Sequence, residues 1–312
     1  MSALQALKRS AKAPVQQLAR RYSTTARLAA VLAGYLPELT CIDVGASYYP
    51  HPKWRLLLEA PATRWVAVEP NVANLGYLAQ WEWPCHVESV TTGLSQEGGT
   101  QTLHVTNVDS GSSLLEPRIP DAQAHRFRNL DYFFPVRPRA IETLTLQSVI
   151  DERARGPVLV KLDTQGTELS IVMGAQRAID AQRIVGVELE STLLAQPVMQ
   201  GSGKFWEACR YFEEQGFELL HLKVIPGASR RAHKHARANT FLNECDAVFA
   251  LRRDVAATLP IEHRTTLFAF YLCNKLFDEA FDLLERDTAM HAALRAHGCD
   301  TDRLAALIDK LA

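Results

Sequence analysis

From residue 40 to residue 251 the chain alternates short apolar runs with helix-length amphipathic segments, and no other feature restricts its fold as much. Runs rich in Val, Leu and Ile at 40–44, 65–68, 86–90, 158–162, 184–189, 218–222 and 246–251 have the length of strands. Apolar residues at consecutive positions imply burial on both faces, the signature of a parallel sheet covered by helices. Parallel pairs need long crossovers, and the intervening segments supply them. Ahead of the sixth run Phe205, Cys209 and Phe212 recur at helical spacing and Gly216 follows as a C-cap, as expected of a helix with one buried stripe. The pattern predicts an α/β fold with a doubly wound seven-stranded sheet.

Residues 91–150 interrupt the alternation with Gly98-Gly99, a polar-apolar run at 100–106 and a Pro- and Arg-rich stretch at 117–139. An inserted hairpin and loop at this point lies over the carboxyl ends of the strands, where open α/β sheets bind ligands. The expected organisation is a basic helical N-terminal extension at 1–37, one domain at 38–254 containing the insertion, and a helical C-terminal extension at 255–312. The last segment reads as two or three amphipathic helices, with Phe270, Phe277 and Phe281 on one face and Gly298 as a break.

A formal net charge of −1 over 312 residues gives no field that would draw in nucleic acid, so electrostatic recognition has to be local. The longest apolar run, 28–36, falls short of a bilayer span and is stopped by Pro37, so the expectation is a soluble, cytoplasmic protein. Residues 1–37 nevertheless lack Asp and Glu and carry Lys8, Arg9, Lys12, Arg20, Arg21 and Arg27. Such a segment is either a basic helix packed on the domain or one suited to peripheral membrane contact or organelle import. The six cysteines form no C-x-x-C pair and have no His at ligand spacing, which suits reduced core thiols and no metal.

Chemistry concentrates at the ends of three predicted strands. The first ends in Asp43-Val44-Gly45-Ala46-Ser47, an acid and a small-residue turn where a nucleotide-type ligand is gripped, although Asp-x-Gly is also an ordinary turn and no G-x-G-x-x-G is present. The second ends in Glu69-Pro70-Asn71, which puts a carboxylate one βα unit downstream, where it can accept from both hydroxyls of a ribose. The fourth ends in Lys161-Leu162-Asp163, followed by Thr164-Gln165-Gly166-Thr167-Glu168. Asp163 either caps the next helix or orients a substrate hydroxyl and takes its proton. Lys161 and Glu168 accompany it as catalytic candidates, with Glu168 equally suited to a first helical turn.

Arg230, Arg231, His233 and Arg237 crowd the segment between the sixth and seventh strands. They form either a solvated loop or a grip for a phosphate or carboxylate on an anionic substrate. Tyr48, Tyr49, Trp54, Tyr132, Phe133 and Phe134 either stack on a sugar ring or pack in the core.

The order Ile42-Asp43-Val44-Gly45-Ala46, Val68-Glu69-Pro70, Ser112-Ser113-Leu114, Glu142-Thr143-Leu144, Val160-Lys161-Leu162-Asp163 with Gly166 and Glu168, Gly174-Ala175 and Val187-Glu188 resembles the FkbM family of methyltransferases, over about residues 40–251. The resemblance implies a class I, Rossmann-like methyltransferase sheet in the order 3-2-1-4-5-7-6 with an antiparallel seventh strand. It also implies S-adenosylmethionine as cofactor and O-methylation of a sugar, glycan or natural product. It places cofactor contacts at Asp43, Gly45, Ala46 and Glu69 and the reaction side at Asp163. Ser47-Tyr48-Tyr49-Pro50-His51-Pro52 replaces a more glycine-rich turn, and Gln165 stands where an acid is common, which speaks against a metal there. Two rival readings share the fold. A nicotinamide-dependent oxidoreductase would want the missing glycine fingerprint, and a non-catalytic glycan-binding or scaffold module would keep the architecture without the chemistry.

Overall fold

The computed structural model describes residues 24–76, 78, 82–118, 130–226 and 241–312. Strands β1 (Leu39–Val44), β2 (Thr63–Val68) and β3 (His86–Val90) come first, then β4 (Gly93–Leu94), β5 (Gly99–Thr106) and β6 (Pro135–Leu144), then β7 (Val158–Leu162), β8 (Ile184–Thr192), β9 (Phe217–Pro226) and β10 (Leu242–Leu251). Seven of these form one sheet in the order β3-β2-β1-β7-β8-β10-β9. β1 pairs in parallel with β2 on one side and β7 on the other, while β10 is antiparallel to both β8 and β9. The direction of winding reverses between β1 and β7, so the crevice beyond their carboxyl ends is the place a doubly wound sheet offers a ligand.

The apolar runs of the sequence are these strands. All six residues of β1 are buried, as are four of the five in β7. The last three strands run further than their apolar stretches, to Thr192, to Pro226 and back to Leu242. The extra residues of β8 and β10 include the polar Glu190, Ser191 and Glu244, held by the antiparallel β8–β10 ladder, in which Glu244 faces Thr192. Polar residues at strand ends carry no burial pattern, so periodicity alone stops short of them.

Between β3 and β7 the chain builds the small sheet β4-β6-β5, in which β5 and β6 form an antiparallel hairpin. β6 ends at Leu144, and the helix Leu146–Arg153 begins at once, with the Thr145 hydroxyl accepting from the Ser148 amide.

The helix Ile261–Cys273 is buried at every position from Thr265 to Cys273, so it is enclosed rather than amphipathic. Phe270 lies so close to Gly186 of β8 that a Cβ there would stand 2.7 Å from the ring. Trp54 continues the stack, 6.0 Å from Phe270 and 6.2 Å from Trp65 of β2. Asn274 and Lys275, the latter at φ +59°, end this helix, so Phe270 is separated from Phe277 and Phe281, which lie half-buried on the next one. Leu28 and Leu32 of the helix Thr24–Leu32 join the same core. All six cysteines are unpaired, and all but Cys209 are buried.

Candidate active site

Gly45 takes the chain out of β1 at φ +77°, and a Cβ built there would overlap the carbonyl oxygen of Asp163, so only glycine lets the exits of β1 and β7 touch. The amides of Gly45 and Ala46 both donate to the Val68 carbonyl, at 3.0 and 3.2 Å, and the Asp163 amide donates to Val44 at 3.0 Å. Three strand ends are thereby stitched into one rim. Ser47 follows on that rim, with its hydroxyl oxygen buried and without a hydrogen-bond partner. Tyr48, at φ +69°, hydrogen-bonds through its hydroxyl to the Asp109 carboxylate of the insertion, and Tyr49 is exposed.

Glu69 ends β2 with 8% of its surface exposed, and its Oε1 accepts from the Asn71 amide at 2.8 Å. Burial pushes its carboxyl up, and the Asn71 bond opposes that push. Asn71 in turn accepts from the Ala73 amide at 3.3 Å and caps the short turn Val72–Leu75. Gly45, Ser47, Glu69, Pro70, Asn71 and Asp163 line a cleft of about 200 Å³, whose other wall is the insertion, with Ser110, Ser112, Arg137 and Arg139.

Asp43 and Lys161 are drawn elsewhere. They face each other in register across β1 and β7, and Lys161 faces Glu188 across β7 and β8, so one sheet face carries a row of three charges. The Lys161 ammonium lies 3.3 Å from Asp43 Oδ1 and 3.6 Å from Asp163 Oδ2. Burial alone would lower the Lys161 pKa, but Asp43, Asp163 and Glu188 outweigh it and hold the ammonium firmly charged. Burial raises the Asp43 carboxyl against the pull of Lys161. Glu188 is paired with Lys53, whose ammonium also donates to Asn274 at 3.1 Å. Neither Asp43 nor Lys161 lines the cleft.

Asp163 does not cap the helix Glu168–Met173, which has no side-chain cap at Thr167. Glu168 closes the turn instead, its carboxylate accepting from the amides of Thr164 at 2.7 Å and Gly166 at 2.9 Å and from the Thr164 hydroxyl at 3.1 Å. Those bonds occupy a buried group that the sequence offered as catalytic. The Asp163 side chain is 45% exposed and, among the described residues, accepts from the Gln165 side-chain amide at 3.2 Å beside the more distant Lys161.

Arg230, Arg231, His233 and Arg237 lie outside the described residues, as do residues 1–23 of the basic N-terminal segment. The cations that do line the cleft, Arg137 and Arg139, alternate along β6, and that i, i+2 spacing was the available signal. Among the described residues no three His, Cys, Asp or Glu side chains converge on a metal position, and no helix is long and apolar enough to cross a membrane.

A mostly parallel sheet with its seventh strand reversed, opening at its switch point into a cleft walled by an acid at the end of β2, is the architecture of the class I methyltransferase fold. The chain belongs to the FkbM methyltransferases: the methyltransferase FkbM domain matches residues 43–219. Similar solved structures include a precorrin-6y C5,15-methyltransferase from Geobacter metallireducens, 13% identical over 73% of this chain and 88% of that one with a TM-score of 0.32. A magnesium protoporphyrin IX methyltransferase from Synechocystis with bound S-adenosylhomocysteine is 7% identical over 73% and 82%, also with a TM-score of 0.32. An S-adenosylmethionine-dependent methyltransferase from Listeria monocytogenes, named as putative, is 8% identical over 74% and 98%, with a TM-score of 0.34. No curated protein matches the chain.

Proposed function

We propose that the protein transfers the methyl group of S-adenosylmethionine to a hydroxyl oxygen of a sugar, glycan or natural product. The observation that carries this reading is one cleft in which the buried acid ending β2, Glu69, and the open acid ending β7, Asp163, flank the Gly45 turn. The cleft also fits the cofactor in its unmet polar demand. Glu69 is a desolvated carboxylate suited to accept from the two ribose hydroxyls, and the Ser47 hydroxyl is buried without a partner on the same rim. When bound, S-adenosylmethionine supplies an electrophilic methyl on a sulfonium. Asp163 accepts the hydrogen bond of the acceptor hydroxyl and takes its proton, and Gln165 holds the Asp163 carboxylate in place. Asp43 and Lys161 support the floor as an ion pair and touch neither substrate.

Calorimetry tests the reading directly. S-adenosylhomocysteine should bind, and Glu69→Gln should weaken it. Binding of a nicotinamide dinucleotide in its place would overturn the proposal. Labelled methyl donor offered with glycans and natural products then identifies the acceptor.

A further inference from the structure

The helices Thr24–Leu32 and Thr301–Asp309 lie side by side, tied where the Cys299 thiol donates to the Val31 carbonyl at 3.8 Å. Each buries one stripe in the core, Leu28 and Leu32 on the first and Leu304 and Ile308 on the second. The stripe beside it stays outside: Arg27 and Ala30 on one helix and Arg303, Ala306 and Lys310 along the other are exposed. With Val31 and Leu307 these residues line an open groove of about 290 Å³, and none of them belongs to the cleft at the switch point. Its floor is aliphatic, and its three polar side chains are all cations.

That charge is not answered from within the protein. No Asp or Glu lines the groove, and Arg27, Arg303 and Lys310 form no ion pair with a described residue. Asp302, next to Arg303 in the chain, is taken by Arg295. Asp309, next to Lys310, falls about 100° round the helix from it. The chain reaches Thr24 from residues 1–23, whose sequence carries Lys8, Arg9, Lys12, Arg20 and Arg21 and no acid. That segment has the sign of the groove, so it enlarges the positive charge instead of neutralising it, and the complementary occupant is an anion from outside the chain. No aromatic ring on which a base could stack lines the groove, which argues against a nucleic acid strand. Cations over an aliphatic floor, continued in sequence by Leu4, Leu7, Val15 and Leu18 interleaved with basic residues, suit the boundary where anionic headgroups meet acyl chains.

We propose that this groove docks the protein on an anionic bilayer, with Arg27, Arg303 and Lys310 on the lipid phosphates and carboxylates and the aliphatic floor against the upper acyl region. The proposal does not depend on the methyltransferase reading of the cleft. It is tested by cosedimentation of the full-length protein with vesicles of phosphatidylcholine alone and of phosphatidylcholine mixed with phosphatidylserine. The wild type should partition onto the mixed vesicles and not onto the neutral ones, and high salt should release it. Arg27→Gln/Arg303→Gln/Lys310→Gln should lower the partition coefficient on the order of 10²-fold, about fivefold for each cation removed, at an unchanged melting temperature. Lys310→Gln, at the helix C-cap, reads the about fivefold step by itself and keeps the test open where the triple variant unfolds. Arg210→Gln/Arg252→Gln/Arg286→Gln loses the same net charge from exposed positions outside the groove and should bind as the wild type does. Wild-type binding that ignores phosphatidylserine or is absent, groove variants that bind as the wild type does, or a control variant that falls as far as the triple groove variant would each overturn the proposal. Release by inorganic phosphate at the concentration of lipid phosphate would overturn it in favour of a free-anion site, and capture by soluble polyglutamate in place of vesicles would overturn it in favour of an acidic protein.

Discussion

Replacing Glu244 with Gln should stabilise the protein at alkaline pH and leave it nearly unchanged in acid. The carboxyl is held at about 7 in the folded chain against an ordinary 4.5, first by burial and then by Asp163 and Asp246. A group whose folded pKa is raised favours folding in its protonated form. Its contribution is therefore full below about pH 4.5 and is lost as the pH rises through about 7, beyond which the buried charge is a constant cost. At 1.36 kcal/mol per pH unit the shift sets a ceiling of about 3 kcal/mol, which partial exposure reduces to about 2 kcal/mol. Urea unfolding at pH 5 and pH 8.5 reads the difference. The substituted amide has the shape of the acid without its charge, so the variant should match the wild type at pH 5 and exceed it by about 2 kcal/mol at pH 8.5. An equal difference at both values, or a variant weaker at pH 8.5, would refute the account of Glu244 as a carboxyl whose charge is buried at a cost.

Three further outcomes follow from the cleft. Glu69→Gln should weaken S-adenosylhomocysteine by about 1–3 kcal/mol in calorimetry while the melting temperature holds, because one acceptor of a buried charged group is exchanged for a donor. Asp163→Asn should lower turnover on the identified acceptor by about 10²-fold or more. Its stability should change by under about 1 kcal/mol, because the acid caps no helix and its contact with Lys161 is half-exposed; wild-type turnover in a folded variant would make the acid structural. Gly45→Ala should cost about 3 kcal/mol or more in thermal unfolding and abolish cofactor binding, since a left-handed alanine is strained and its methyl collides with the β7 backbone.

The middle of the large sheet was legible in the sequence because β1 and β7 are buried on both faces, and continuous Val, Leu and Ile runs have little other use. The rim was legible for a local reason: Gly45 and Glu69 each sit where a strand ends, and a glycine or an acid after an apolar run stands out. The order of the strands came with the family resemblance; what escaped was register, which decides the residues that meet across neighbouring strands. Asp43, Lys161 and Glu188 read as three separate acids and bases until register set them in one row. Glu190 and Glu244 share a cavity only because β10 inserts beside β8. The choice between capping and chemistry at Asp163 depended on Glu168 folding back over its own turn, a geometry that spacing does not express. Phe270 looked like one member of a surface stripe because a helix enclosed on every side leaves no polar face to reveal it.

The position of β10 also imposes an order of assembly. Among the described residues β9 touches the sheet only through β10, the last strand in the chain, so until β10 is in place β9 lacks its partner in the sheet and β8 presents an open edge. A nascent chain that has reached Pro226 can pair five of the seven strands, and it leaves a bare row of amides and carbonyls along β8. Exposed edges of that kind are templates for association with other chains. Because the FkbM match ends at residue 219, within β9, cutting the protein to that boundary would preserve the cleft's residues and make the bare edge permanent.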